Sequence, residues 1–257
     1  MSASAGSRRG AVGLGRLLVR QLAAENRAFW RNPAAAFFTF AFPLVFMVIL
    51  NLVFIDVPGA LRFYTPALVA FAIVNAGFTT LAMSITIARD EGILKRVRGT
   101  PLPPLVYLVA RVVHSSLLGL LLAGIVALFG ALAFGVPLPL ERLPLLVLSL
   151  LVGAASFCAL GLAVSGLIPS AAAAPAVVNA IALPLLFISN TFVRIEDGIL
   201  VSVGGLFPIR PFSDLLQALW DPGRAGPVEI ADLAFVAAWG IAGLVIALRT
   251  FSWEPRA

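Results

Sequence analysis

The sequence predicts an all-α, polytopic membrane protein with six transmembrane helices, an N-terminal amphipathic interfacial helix and a short charged helix between the second and third spans. Three observations carry this reading. Hydrophobic residues make up 61% of the 257 positions and charged residues only 12%, with a mean hydropathy of +1.04, so a soluble fold of this length would lack the polar side chains to cover its surface. The apolar residues gather into runs of about 20, the length at which a helix rising 1.5 Å per residue crosses roughly 30 Å of hydrocarbon. These runs are continuously apolar, whereas strands of a transmembrane barrel alternate over about ten residues.

Along the chain, the first ten residues are rich in Ser, Gly and Arg and read as a disordered tail. From Leu14 to Trp30 the pattern is helical and two-faced. At 100° per residue Arg16, Arg20, Arg27 and Arg31 share one side, while Leu14, Leu18, Leu22 and Phe29 share the other. Such a helix lies flat in the membrane interface, and Asn32-Pro33 then turns the chain inward. The six expected spans are Ala34 to Ile55, Ala67 to Ala88, Leu105 to Phe134, Leu143 to Ile168, Ala171 to Phe192, and Ala231 to Leu248. The third holds Arg111 and His114 near its start, which places its hydrocarbon core from about Ser115 onward. Pro43 and Pro184 are expected to kink the first and fifth spans. The stretch from Val193 to Ile230 holds apolar pieces too short to span, which predicts a re-entrant or interfacial element. Small residues at Gly119 and Ala123, Gly153, and Gly161 and Ser165 predict close helix packing. The organisation is therefore residues 1–33 as tail and interfacial helix, 34–248 as the membrane domain, and 249–257 as a C-terminal tail.

Charge sets the orientation. With the N-terminus inside, thirteen of the eighteen Lys and Arg residues and only four of the twelve acidic residues face the cytoplasm, as the positive-inside rule demands. The net charge of +6 and pI near 10.9 then serve topology and contact with anionic membrane lipids, and no nucleic-acid partner is implied. No cleavable signal peptide is expected, because the first apolar run starts after about thirty residues and is long enough to span. The expected topology is multi-pass, with both termini cytoplasmic.

Several chemistries are excluded. Lys95 is the single lysine and no glycine-rich turn precedes it, so the chain has no phosphate-binding loop. One histidine and one cysteine, Cys158, cannot make the usual nitrogen and sulfur metal sites. Every acidic residue falls in a loop or at a segment end, which disfavours coupling to protons or sodium through buried acids. Polar residues within the spans, among them Asn51, Asn75, Thr79, Ser156, Ser189 and Asn190, read as interhelical hydrogen-bond partners.

What remains is the loop from Arg89 to Pro104, with six charged side chains in its first ten residues. As a short helix from Asp90 to Arg98 it has Ile93, Leu94 and Val97 on an apolar ridge open to a partner's groove, Glu91 and Lys95 paired at i, i+4, and Gly99-Thr-Pro101 as the stop. A loop that only set topology would need the basic residues but not Asp90-Glu91 or the ordered stop. The whole stretch, Arg89-Asp-Glu-Gly-Ile-Leu-Lys-Arg-Val-Arg-Gly-Thr-Pro-Leu-Pro-Pro104, followed by Tyr107 and Arg111, resembles the signature of the ABC-2 type permeases, the membrane subunits of one class of ATP-driven exporters. The six spans, the amphipathic first helix and the extended stretch before the last span agree with that resemblance.

The resemblance implies that the loop is a coupling helix seated in a cleft of a separate cytoplasmic ATPase, present in two copies, through Asp90, Glu91, Gly92, Leu94, Lys95, Arg96, Arg98, Thr100 and Pro101. It implies a second permease subunit, identical or related, and an amphipathic or lipid-like cargo. The chain itself would hold no cofactor and would not be an enzyme, with ATP and magnesium bound by the partner. The competing reading from the residues is a membrane-embedded enzyme acting on lipids, with residues 89–104 as its headgroup site. It lacks a clustered acid, base or metal site.

Overall fold

The computed structural model describes residues 13–54, 56–57, 59–100, 102–193, 195, 197–221 and 228–253. Within them every regular element is helical: α1 Leu14–Trp30, α2 Pro33–Val53, α3 Ala60–Val74, α4 Leu81–Asp90, α5 Ile93–Arg98, α6 Pro104–Phe134, α7 Leu143–Ser165, α8 Ala174–Phe187, α9 Ile199–Gly205, α10 Ile209–Trp220 and α11 Val228–Thr250. A π-helical turn, Asn75–Thr80, joins α3 to α4, so that Ala60–Asp90 forms one 31-residue span. The tail expected before residue 13, and the residues beyond Trp253, lie outside the described residues.

Among the described residues, five helical stretches are long and apolar enough to cross a membrane: Ala36–Val53, Ala60–Asp90, Pro104–Phe134, Leu140–Ser165 and Ile230–Thr250. A sixth is added if α9 and α10, bent by 96° at their junction, count as one. Large apolar side chains face outward on these helices, with Phe38 68%, Leu132 85% and Leu248 77% exposed. That surface suits hydrocarbon and not water. Pro43 and Pro184 sit inside α2 and α8, which continue through them.

The rod formed by α3, the π turn and α4 is the central element, with every residue from Phe63 to Val74 buried. Around it pack α2, α6, α7 and α10. Glycine makes the closest approaches possible. A Cβ on Gly161 of α7 would lie 2.5 Å from the carbonyl oxygen of Gly77 in the π turn, and one on Gly119 of α6 would lie 3.1 Å from the Ala76 methyl. Gly240 and Gly243 bring α11 equally close to Ser156 and Leu160 of α7. Lipid supplies no hydrophobic drive between helices, so this close van der Waals packing is what holds them together.

The bundle has two ends. At one, the α5 end, lie the start of α6 and residues Phe251 and Trp253 that follow α11. Glu25 of α1 reaches the same end, 3.3 Å from Arg111. At the far end, the start of α3, the α6–α7 connection and the end of α10 surround one recess.

The fifth expected segment, Ala171 to Phe192, folds as a shorter helix. Fourteen residues of α8 rise only about 21 Å, less than the roughly 30 Å of a hydrocarbon core. Asn190 then adopts a left-handed backbone (φ 54) and the chain turns back on itself. Non-helical backbone at this depth survives only where its polar groups are taken up by protein. They are: Arg210 donates to the carbonyls of Ile188 (3.2 Å) and Ile195 (2.9 Å), and Ser213 and Gln217 donate to that of Asn190. The Asn190 amide donates to Asp214 at 2.9 Å, and Asp214 lies 3.4 Å from Arg210. This knot ties α8 to α10, whose Phe212 ring packs against Phe157 and Gly153 in the middle of α7.

Gly161→Leu should abolish the folded state, because the atoms in its way are backbone. Gly124→Leu, with nothing within 4 Å of its Cβ, should be tolerated. Monodisperse elution in detergent, with Gly161→Leu aggregated and Gly124→Leu intact, is the measurement that checks this.

Candidate functional site

The charge-dense loop folds as an elbow. Helix α4 runs on to Asp90, Gly92 turns the chain through a left-handed conformation (φ 71), and α5 follows as six residues from Ile93 to Arg98. A helix this short has no stability of its own. It is held by Leu94, fully buried against Ala88 and Tyr107, with Leu102, Phe251 and Trp253 packed around them. The ridge of Ile93, Leu94 and Val97 therefore faces the body of the protein. This corrects the expectation that it lies open to a partner, for the physical reason that a lone turn of helix must bury its apolar side to form.

The opposite side is polar and exposed. Glu91, Lys95, Arg96, Arg98, Gly99 and Thr100 all face out, and Asp90 is half-buried. The expected Glu91 to Lys95 pair does not form. Arg96 instead reaches back to donate to the Glu91 carbonyl at 3.2 Å. The helix stops where Thr100 donates its hydroxyl to the Val97 carbonyl (2.7 Å) and accepts the Leu102 N–H at 3.3 Å. Pro101 lies outside the described residues.

Sequence reading missed the residue that anchors the elbow. Arg89, the first of the six charged side chains of the loop, is only 2% exposed. Its guanidinium donates to the carbonyls of Ser165 (3.0 Å) and Ile168 (2.6 Å), closing the C-terminal end of α7. The carboxylate of the next residue, Asp90, accepts the Ala171 N–H at 2.9 Å, just before α8. Two consecutive residues thus fasten the root of α5 to the connection between α7 and α8. Hydrogen bonds of this kind, with one partner ionised, are about twice as strong as neutral ones. The signal in the sequence was an arginine directly after the apolar run, Ala82 to Ala88, where a cation can fold back to cap neighbouring carbonyls.

The amphipathic helix reaches the same end of the bundle. The half-buried stripe of α1, formed by Leu18, Leu22, Glu25 and Phe29, lies against α6, and its arginines are exposed. Glu25 pairs with Arg111 at 3.3 Å, Arg111 sits 5.2 Å over the Tyr107 ring, and Phe29 meets His114 edge to face. Tyr107 thus touches both the α1 clamp and the Leu94 socket. Such a site can transmit force between a surface helix and the membrane bundle. It has no arrangement for making or breaking bonds, and among the described residues no group of His, Cys, Asp or Glu could hold a metal ion.

Fold and site together define a multi-pass helical membrane subunit with a charged elbow braced against its spans. The family model described as ABC-2 type transporter matches residues 17–217, and the chain belongs to that family. It is 25% identical over 216 residues to the "Putative transport permease YvfS" of Bacillus subtilis (strain 168), a match covering 82% of this chain and 86% of that protein. The matched region runs from α1 through the elbow to α10.

Replacing Arg89 by Leu strands two buried carbonyls, at a cost of about 1–3 kcal/mol each when a buried acceptor is left unpaired. Thermal unfolding in detergent should show Arg89→Leu markedly destabilised, whereas the exposed Arg96→Leu should melt within a degree or two of the parent. Equal melting of the two variants would contradict the anchoring role of Arg89.

Proposed function

We propose that this chain is the permease subunit of an ABC exporter, forming with a second permease subunit the pathway for an amphipathic or lipid-like substrate such as a drug, lipid or lipid-linked product. A separate cytoplasmic ATPase, in two copies, supplies the energy and holds the ATP and magnesium. Family membership supports the transport role. The observation that carries the coupling role is the two-sided α5, apolar on the body and charged outward.

On this reading the α5 end faces the cytoplasm of a bacterial cell, in line with the bias of basic residues to that side. Helix α1 lies along the inner membrane surface with Arg16, Arg20 and Arg27 toward headgroups and water. The ATPase meets Glu91, Lys95, Arg96, Arg98 and Thr100, while Asp90, Gly92 and Leu94 hold the helix in place. Pro101 completes the same docking segment. Closure of the ATPase pair around ATP pushes α5. Because Leu94 is socketed and Arg89 and Asp90 grip the α7–α8 connection, the push reaches α4, α7 and α8 as one movement. The Asn190 to Asp214 knot passes it to α10. Apolar surfaces between the subunits suit a cargo that is itself largely apolar.

Co-purification in detergent from the native membrane, with nucleotide-binding partners identified in the eluate, tests this. The parent should retain the ATPase, and the Glu91→Arg, Arg98→Glu double variant should lose it or leave its hydrolysis unresponsive to the permease. A parent chain that retains no nucleotide-binding partner would overturn the reading.

A further inference from the structure

At the end of the bundle opposite α5 a recess of about 680 Å³ opens between the first turn of α3, the connection from α6 to α7, and the end of α10. It is preformed. Arg142 donates to the Ala218 carbonyl at 3.2 Å, which pins the α6–α7 connection to α10. Gln217 anchors the other side, donating to the Asn190 carbonyl (3.0 Å) and to the Ser213 hydroxyl (3.1 Å).

Two exposed charges on this recess, and two polar atoms buried behind its lining, lack a partner. Trp220 and Gln217 line it at 6% and 3% exposure, yet the indole Nε1 and the amide Oε1 are buried with no hydrogen-bond partner. Arg62 and Glu141 are exposed on its lining, and their side chains make no ion pair or hydrogen bond among the described residues. Arg142 and Asp221, also on the lining, have partners of their own. Buried polar atoms without partners are uncommon in native proteins and call for an explanation. Here one orphan is a donor and the other an acceptor, and the free charges beside them are one of each sign.

We propose that this recess binds a phosphate–ammonium zwitterion. The Arg62 guanidinium matches phosphate oxygens through its fork of N–H donors. Glu141 and the face of the Trp220 ring match an ammonium, the carboxylate by charge and the indole by its quadrupole. Phe63 and Leu219 give the recess apolar walls, and it lies where helix ends leave hydrocarbon for the headgroup layer. Two sources share this chemistry, a free phosphate–ammonium solute and the headgroup of a bilayer phospholipid. Because Gln217 both lines the recess and holds the α8–α10 knot, an occupant bears directly on that joint. The proposal needs no ATPase and no assignment of the far end to one side of the cell.

The test uses the full chain in maltoside micelles with Trp30→Phe, Trp239→Phe and Trp253→Phe, which leave Trp220 as the only tryptophan. Its emission is followed during titration with phosphocholine and, separately, with dihexanoyl phosphatidylcholine below its micelle concentration. Saturable changes with both ligands assign the site to headgroup chemistry from either source. A change with the lipid alone assigns it to the bilayer, with the acyl chains on the apolar walls. Arg62→Gln and Glu141→Gln should each weaken binding about tenfold, the loss of one charge-assisted contact. Both residues are exposed, so circular dichroism and elution should match the parent. No change in Trp220 emission with either ligand overturns the proposal. So do folded variants that bind as tightly as the parent, or inorganic phosphate binding as well as the zwitterions. None of these outcomes bears on ATPase partnership.

Discussion

The requirement that every backbone polar group be satisfied without water governs this structure. A continuous helix meets it alone, which is why Ala60–Asp90 can run through the centre of the bundle with every residue from Phe63 to Val74 buried. Wherever the chain departs from a plain helix, a specific set of side chains has to make good the difference. Arg89 does so at the end of α7, and Arg210, Ser213 and Gln217 do so at the break after α8. Two of the irregular places in the bundle are thus polar knots.

These knots also decide how movement can spread. Apolar helix contacts in lipid slide at modest cost, because one apolar neighbour is much like another. A bidentate arginine on two carbonyls does not slide. The fastening of Arg89 and Asp90 to residues 165–171 makes the elbow, the end of α7 and the start of α8 one body, and the Asn190 to Asp214 contact extends it to α10. Under the coupling role proposed above, a push at α5 would travel through this body to α10.

Glycine placement completes the design. Gly77 and Gly161 bring the π turn and α7 into backbone contact, and Gly240 and Gly243 do the same for α11 on α7. The π turn lies where α6 and α7 both meet the central rod. Irregular turns of this kind recur at functional sites, and here the turn allows a closer approach than an unbroken helix would present.

Composition and run length alone were enough to specify an all-helical membrane bundle, and the hydropathy pattern located α1, α2, α6, α7 and α11 to within about three residues, while the central rod starts at Ala60 and not at the expected Ala67 because its first turns carry Arg62, Tyr64 and Thr65. The charge-dense elbow was legible because charged residues in so apolar a chain stand out one by one. Tertiary structure decided the rest. Whether Arg89 points to water or into the fold, which way the Leu94 ridge faces, and that the segment from Ala171 to Phe192 forms a short helix with a knot above it all depend on partners distant in sequence, such as Ser165 for Arg89 and Asp214 for Asn190. Hydropathy measures how well a residue tolerates lipid. It carries no record of which distant carbonyl a buried charge will find, and only the packed bundle supplies that.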